Sequence, residues 1–178
     1  MAICSLNKDL LKTSSCGYVL QSVTEIYLAD NTDAVFGIST GETESLTGVT
    51  LGAEAKWYRI QAAKNTASFT DVLNITDSGN KYRTHTLSFS VTGTYDDEMR
   101  EVVDGLSLGS YLAIAVFASG DAVLLGSPTA GLEATVVTNT GSASANEASG
   151  ISVEMSTDLT TTAYAIDKSK LADIVKNA

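Results

Sequence analysis

KYRTHTLSFSVTGTYDDEMREVVDGLSLGSYLAIAVFASGDAVLLG, residues 81–126, is the stretch on which the fold turns. It opens with strict alternation. Leu87, Phe89 and Val91 share one side with Lys81, Arg83 and His85, while Tyr82, Thr84, Thr86, Ser88 and Ser90 share the other. A period of two residues is that of a strand. Next, Thr94-Tyr95-Asp96-Asp97 has the pattern of a capping box, with Asp96, Asp97 and Glu98 placed to complement a helix N-terminus. Met99, Val102, Val103 and Leu106 then recur at helical spacing, which predicts a helix over about 94–106, closed by Gly105 or Gly109. Tyr111 to Ala118 (YLAIAVFA) is apolar at every parity, which suits a central strand buried on both faces. Ser119-Gly120-Asp121 turns the chain into a second short strand, AVLLG. The hydroxyl row from Thr84 to Ser90 fits neither a core nor a charged solvent face, and it predicts a surface laid against another subunit.

Downstream, 131–140 alternates with Glu133, Thr135 and Val137 opposite Leu132, Ala134 and Val136. Ile151, Val153 and Met155 alternate with Ser152, Glu154 and Ser156 in a further strand. The segment TTTAYAI continues a sheet or its edge, and 167–176 predicts a short terminal helix. Between the two strands, GSASANEASG (141–150) is a small-residue loop without the lysine and hydroxyl of a phosphate-binding loop.

Upstream, 16–30 reads as one long strand, with Ile26 and Leu28 on one face and Val23, Glu25 and Tyr27 on the other. Residues 31–54 are polar and glycine-rich, with two apolar islands: Val35, Phe36 and Ile38, then Leu46, Val49 and Leu51. The pattern predicts a hairpin-like loop that projects and buries those islands against a partner. Residues 55–62, with Trp57, predict a strand, and 68–76 pairs with 81–93 as a hairpin across Asp77-Ser78-Gly79-Asn80. In the N-terminal arm, residues 1–15, Leu6 and Leu10 are anchors with no local partner. The reading is a single domain over 1–178: mainly β, two packed antiparallel sheets forming a sandwich or barrel, one flanking helix, the arm 1–15, the projecting loop 31–54 and a C-terminal arm 167–178.

Composition excludes several classes of function. The formal net charge of −10 lacks the basic footprint needed to grip nucleic acid. It is compatible with a surface past which nucleic acid slides. Two cysteines, Cys4 and Cys16, make no disulfide framework, and they read as two reduced thiols or as one bridge from the arm to the first strand. The start has no signal-peptide pattern, and no apolar run approaches the roughly 18 residues of a membrane span. His85, the only histidine, reads as an ordinary strand residue, and the acids at 96–98 read as helix caps. No nucleophile elbow, metal-ligand spacing or calcium loop is present, so no catalytic residue, metal or cofactor is expected.

From Trp57 to Tyr164 the order of elements resembles the phage tail tube proteins, the major tail proteins of long-tailed phages. The resemblance rests on the strand YRTHTLSFSVTG with the helix TYDDEMREVVDGLSLG, on the strand pair YLAIAVFASGDAVLLG, and on TNTGSASANEASGISVEMS at 138–156. It implies a structural virion protein without enzymatic activity. Its subunits would form hexameric rings whose inner sheets join into one barrel, and the rings would stack into a hollow tail tube in the virion, assembled in the host cytoplasm. DNA would pass through the lumen without specific binding. Other tail proteins would meet the tube ends, and no membrane would be involved. Loops and terminal arms would reach neighbouring subunits. On this view Glu25, Glu133 and Glu154 are candidates to face the lumen. Val35, Phe36, Ile38, Leu46, Val49, Leu51, Thr84, Thr86, Ser88, Ser90, Leu6 and Leu10 are candidates for contacts between subunits. An inner-tube protein of a contractile injection machine, or a β-sandwich decoration or binding module, is the alternative.

Overall fold

The computed structural model describes residues 22–39, 45–94, 96–141 and 149–176. Leu6, Leu10, Cys4, Cys16 and the tip of the 31–54 loop lie outside these residues. In chain order the strands and helices are β1 Val23–Asp30, β2 Val35–Ser39, β3 Ser45–Thr50, β4 Tyr58–Ile60, β5 Ser68–Ile75, β6 Lys81–Thr92, α1 Asp97–Leu108, β7 Ser110–Phe117, β8 Ala122–Leu125, β9 Leu132–Thr140, β10 Gly150–Leu159, β11 Tyr164–Ile166 and α2 Lys168–Ile174. All strand pairings are antiparallel.

Nine strands form one continuous sheet that folds over on itself, and β2 and β3 form a separate hairpin. The fold-over is at the start of β7, where Ser110 and Tyr111 pair with Glu133 and Leu132 of β9. Layer one is β4-β1-β7-β8-β11, and layer two is β9-β10-β6-β5. Gly131 makes the corner possible, because a Cβ there would sit 2.8 Å from the Tyr111 backbone nitrogen. The Asn31 side-chain amide clamps the corner, donating to the Ser110 carbonyl and accepting from Gly131 N–H, both at 3.1 Å.

Between the layers Ile26, Leu28, Ala113, Ala115, Val123 and Leu125 of layer one pack on Leu87, Phe89, Ile151, Val153 and Met155 of layer two. Helix α1 adds Leu106, Val103 and Met99 to this core. The fold is therefore the expected β-sandwich with a flanking helix and a short C-terminal helix. The helix cap differs from the Thr94 reading. Asp96 is the N-cap, its carboxylate accepting from Met99 N–H at 2.8 Å, and Gly109 closes the other end, leaving Gly105 inside the helix.

Two β-bulges shift phases that simple alternation assigns otherwise. One, between Val23 and Glu25, turns Val23 into the core together with Ile26. The other, opposite Glu154 and Met155, turns Val137 inward and leaves Val136 outside, 51% exposed. The strand expected over 55–62 shortens to β4, with Trp57 packed into a core just before it.

The main revision concerns 31–54. The β2–β3 hairpin does not stand away from the body. Leu46 is buried, and Phe36, Val49 and Leu51 pack with Trp57, Leu112, Ile114, Val116 and Leu124 on the outer face of layer one. Helix α2 covers the same face through Ile174 and Leu171, and Lys170 Nζ donates to the Leu46 carbonyl at 3.3 Å. Phe36 meets the Tyr164 ring edge-on at 6.2 Å. The C-terminal segment thus folds back as a cover, at least through α2. β7 forces this arrangement: with both its faces apolar, the side away from the core needs its own lining.

Candidate functional site

Among the described residues, layer two is covered on one face only. Its outer face is built by alternate residues of four strands, and the register sets them in rows. Val136 lies beside Glu154, Ser88 and Ser68; Glu133 lies beside Ser156, Thr86 and Thr70; Thr138 lies beside Ser152 and Ser90. Asp158 follows, beside Thr84 and Val72. Glu133, Glu154 and Asp158 are exposed, and the serines and threonines of the central strand are half-buried among their neighbours.

Hydrogen bonds tie the rows together. Ser90 and Ser152 bring their hydroxyl oxygens to 2.5 Å, Thr84 donates to Asp158 at 2.6 Å, and Asn74 donates to Thr84 at 2.8 Å. Thr135, the extra residue of the second bulge, donates to the Glu154 carbonyl at 3.2 Å. Lys81 and Arg83, the only cations on these four strands, have the parity of the core side, so the face carries carboxylates and hydroxyls without a balancing positive charge. It can hold ordered water and exclude polyanions electrostatically. Among the described residues these four strands offer no cation on it to grip a phosphate.

The face gathers six of the residues singled out in the sequence: Glu133, Glu154, Thr84, Thr86, Ser88 and Ser90. Glu25 is not among them. It lies on the opposite side of the sandwich, on the outer side of layer one, where Arg59 of β4 forms a close ion pair with it and the Tyr27 hydroxyl donates to it at 3.1 Å. Burial, together with that hydrogen bond, holds the Tyr27 phenol above its ordinary pKa. A carboxylate paired with an arginine adds little to the field of a surface, which removes the reason for grouping Glu25 with the other two. Of the apolar islands, Leu46 is enclosed within the chain, while Val35 and Ile38 remain exposed.

Asp158 belongs to the site and escaped the sequence reading. The signal was available: it continues the Ser152, Glu154, Ser156 parity by one step. The edge of this layer also stands open. β5 pairs with β6 and with no other strand among the described residues. Val72, Leu73 and Ile75 on it are 49%, 50% and 62% exposed.

Among the described residues no group of three or more His, Cys, Asp or Glu is arranged to hold a metal ion. No helix among them is long and apolar enough to cross a membrane. Compared with protein-family models, with curated proteins and with solved structures, the chain matches none.

Proposed function

We propose that the chain is a structural subunit that assembles with copies of itself into stacked rings, and that the outer face of layer two lines the passage through them. The observation that carries the reading is the face itself. A four-stranded surface with three exposed carboxylates, rows of hydroxyls and no cation is unsuited to a core and to holding a polyanion, and it suits a channel through which DNA slides.

The edge beside it supports the same reading. An open strand with exposed apolar residues is an aggregation liability unless it is paired, and head-to-tail pairing of copies around a closed ring removes it. The sequence resemblance to tail tube proteins supplies the number six for the ring and the passage of DNA, and both are part of the proposal. So is the place of the protein in a virion tail.

Negative-stain microscopy of the purified protein, with sedimentation velocity over a range of concentrations, tests the assembly. Rings or hollow tubes are expected. A species that stays monomeric at every concentration, and also after addition of preformed tail tips as initiators, would overturn the proposal. A sheath protein co-purifying with the tubes would place the subunit in a contractile machine.

A further inference from the structure

His85 is 1% exposed, in the core-facing row of β6. Both ring nitrogens meet backbone groups from distant parts of the chain. Nδ1 accepts from Gly126 N–H at 3.3 Å, and Nε2 faces the Thr161 carbonyl oxygen at 3.2 Å. A carbonyl only accepts, so Nε2 carries the hydrogen. An N–H only donates, so Nδ1 carries none. The ring is therefore neutral and fixed in one tautomer. It joins β6 to two segments: the turn that ends β8, where Gly126 sits at φ +86°, and the β10–β11 connection.

Among the described residues two charged groups face this ring. From β5, Asp71 Oδ1 lies 3.7 Å from Nε2, and from β6, Arg83 Nε reaches the same oxygen at 2.5 Å. The other Asp71 oxygen accepts from Ala163 N–H at 2.9 Å. Asp71 is thus already engaged, and it lies on the Nε2 side. The turn presents the Gly126 backbone N–H to Nδ1.

We propose that His85 is an acid-sensitive latch: a proton added at Nδ1 takes away the acceptor of Gly126 N–H, and the turn between β8 and β9 releases from layer two while the sandwich stays folded. The proton comes from solvent, and no other bond changes. After it binds, two N–H groups face each other at Nδ1, which is repulsive in a dry site. The Nε2–H bond to Thr161 persists, so the release is confined to the turn.

The balance of forces on the ring agrees. Burial, the largest effect, lowers its pKa; the Asp71 charge and the Thr161 bond raise it, Arg83 lowers it, and the net direction is below the ordinary 6.5. A histidine depressed in the folded state contributes stability that is complete above 6.5 and is lost as pH falls through the lowered folded value.

Because His85 is the only histidine, ring NMR of the untagged protein reports it without assignment. The expected result is the Nε2–H tautomer at neutral pH and a single titration below 6.5. Across that titration the hydrogen-exchange protection of the Gly126 amide should fall about tenfold, the effect of one lost hydrogen bond, while that of the β7 amides holds. His85→Gln, which offers both a donor and an acceptor and cannot titrate, should show Gly126 protection that does not change across this pH range. A titration at or above 6.5, or Gly126 protection that stays flat through the titration of the wild-type ring, would overturn the latch. Either result is readable in the wild-type protein even if the variant fails to fold.

Discussion

Strand β7 runs through the middle of layer one and β6 through the middle of layer two, yet among the described residues only β7 is covered on both sides. Its outward row, Leu112, Ile114 and Val116, lies under the β2–β3 hairpin and α2. The outward row of β6, Thr84, Thr86, Ser88 and Ser90, lies under nothing among the described residues. The difference originates in the polarity of the side chains on the two outward rows. Apolar groups on both faces make exposure costly, so distant segments are recruited as a lining. Hydroxyls on one face remove that drive, because they hydrogen-bond equally well to water, to neighbouring strands or to a partner. One sandwich thus has a sealed side and an open side, and the open side is the one the proposed function uses.

The contrast can be broken most directly by truncation. Ile114→Ala on the sealed side should cost about 3 kcal/mol, from lost burial plus the cavity left behind. Ser88→Ala at the corresponding centre of the open side should stay within about 0.5 kcal/mol. Urea unfolding of the two variants measures both, and equal losses would show that the open face is as structural as the sealed one.

A smaller effect tests the cover. Ile174 is the buried residue of α2. Ile174→Ala should cost about 2 kcal/mol. It should also speed proteolysis of the C-terminal segment and of the β2–β3 hairpin together, since Lys170 links α2 to Leu46. Cleavage of one without the other would mean that they do not act as a unit.

How much of this contrast can be read in the sequence follows from how local its causes are. The hydroxyl row of β6 and the doubly apolar β7 are properties of single strands, visible as alternation and as its absence. Helix α1 is legible from its stripe, although Thr94 and Asp96 are both competent caps two residues apart and only the backbone path chooses between them. The bulges in β1 and β9 are illegible because an extra residue is defined against the partner strand, and they alone decide that Val23 and Val137 face inward. The home of the 31–54 islands depends on α2, more than a hundred residues later, as the Lys170–Leu46 contact shows. Residue type and strand parity group Glu25 with Glu133 and Glu154. Its separation depends on Arg59, which reaches it only because β4 pairs with β1.

The smallest expected effect on stability is also the one most specific to function. Glu133→Gln with Glu154→Gln should leave the unfolding midpoint within about 0.5 kcal/mol of wild type, since both carboxylates are exposed. The same pair should increase retention of assembled particles on immobilised DNA at low salt, an effect that added salt screens away. Unchanged retention would remove the electrostatic part of the reading.

The orientation of the two sides in the assembled particle bears on the central claim most directly. A cryo-electron microscopy map of the assembly, at a resolution that separates strands, should place layer two towards the axis, with Ser88 and Glu154 lining the opening and the edge of β5 against a neighbouring copy. A map with the β2–β3 hairpin and α2 facing the axis, and the hydroxyl face turned to the outside, would contradict it.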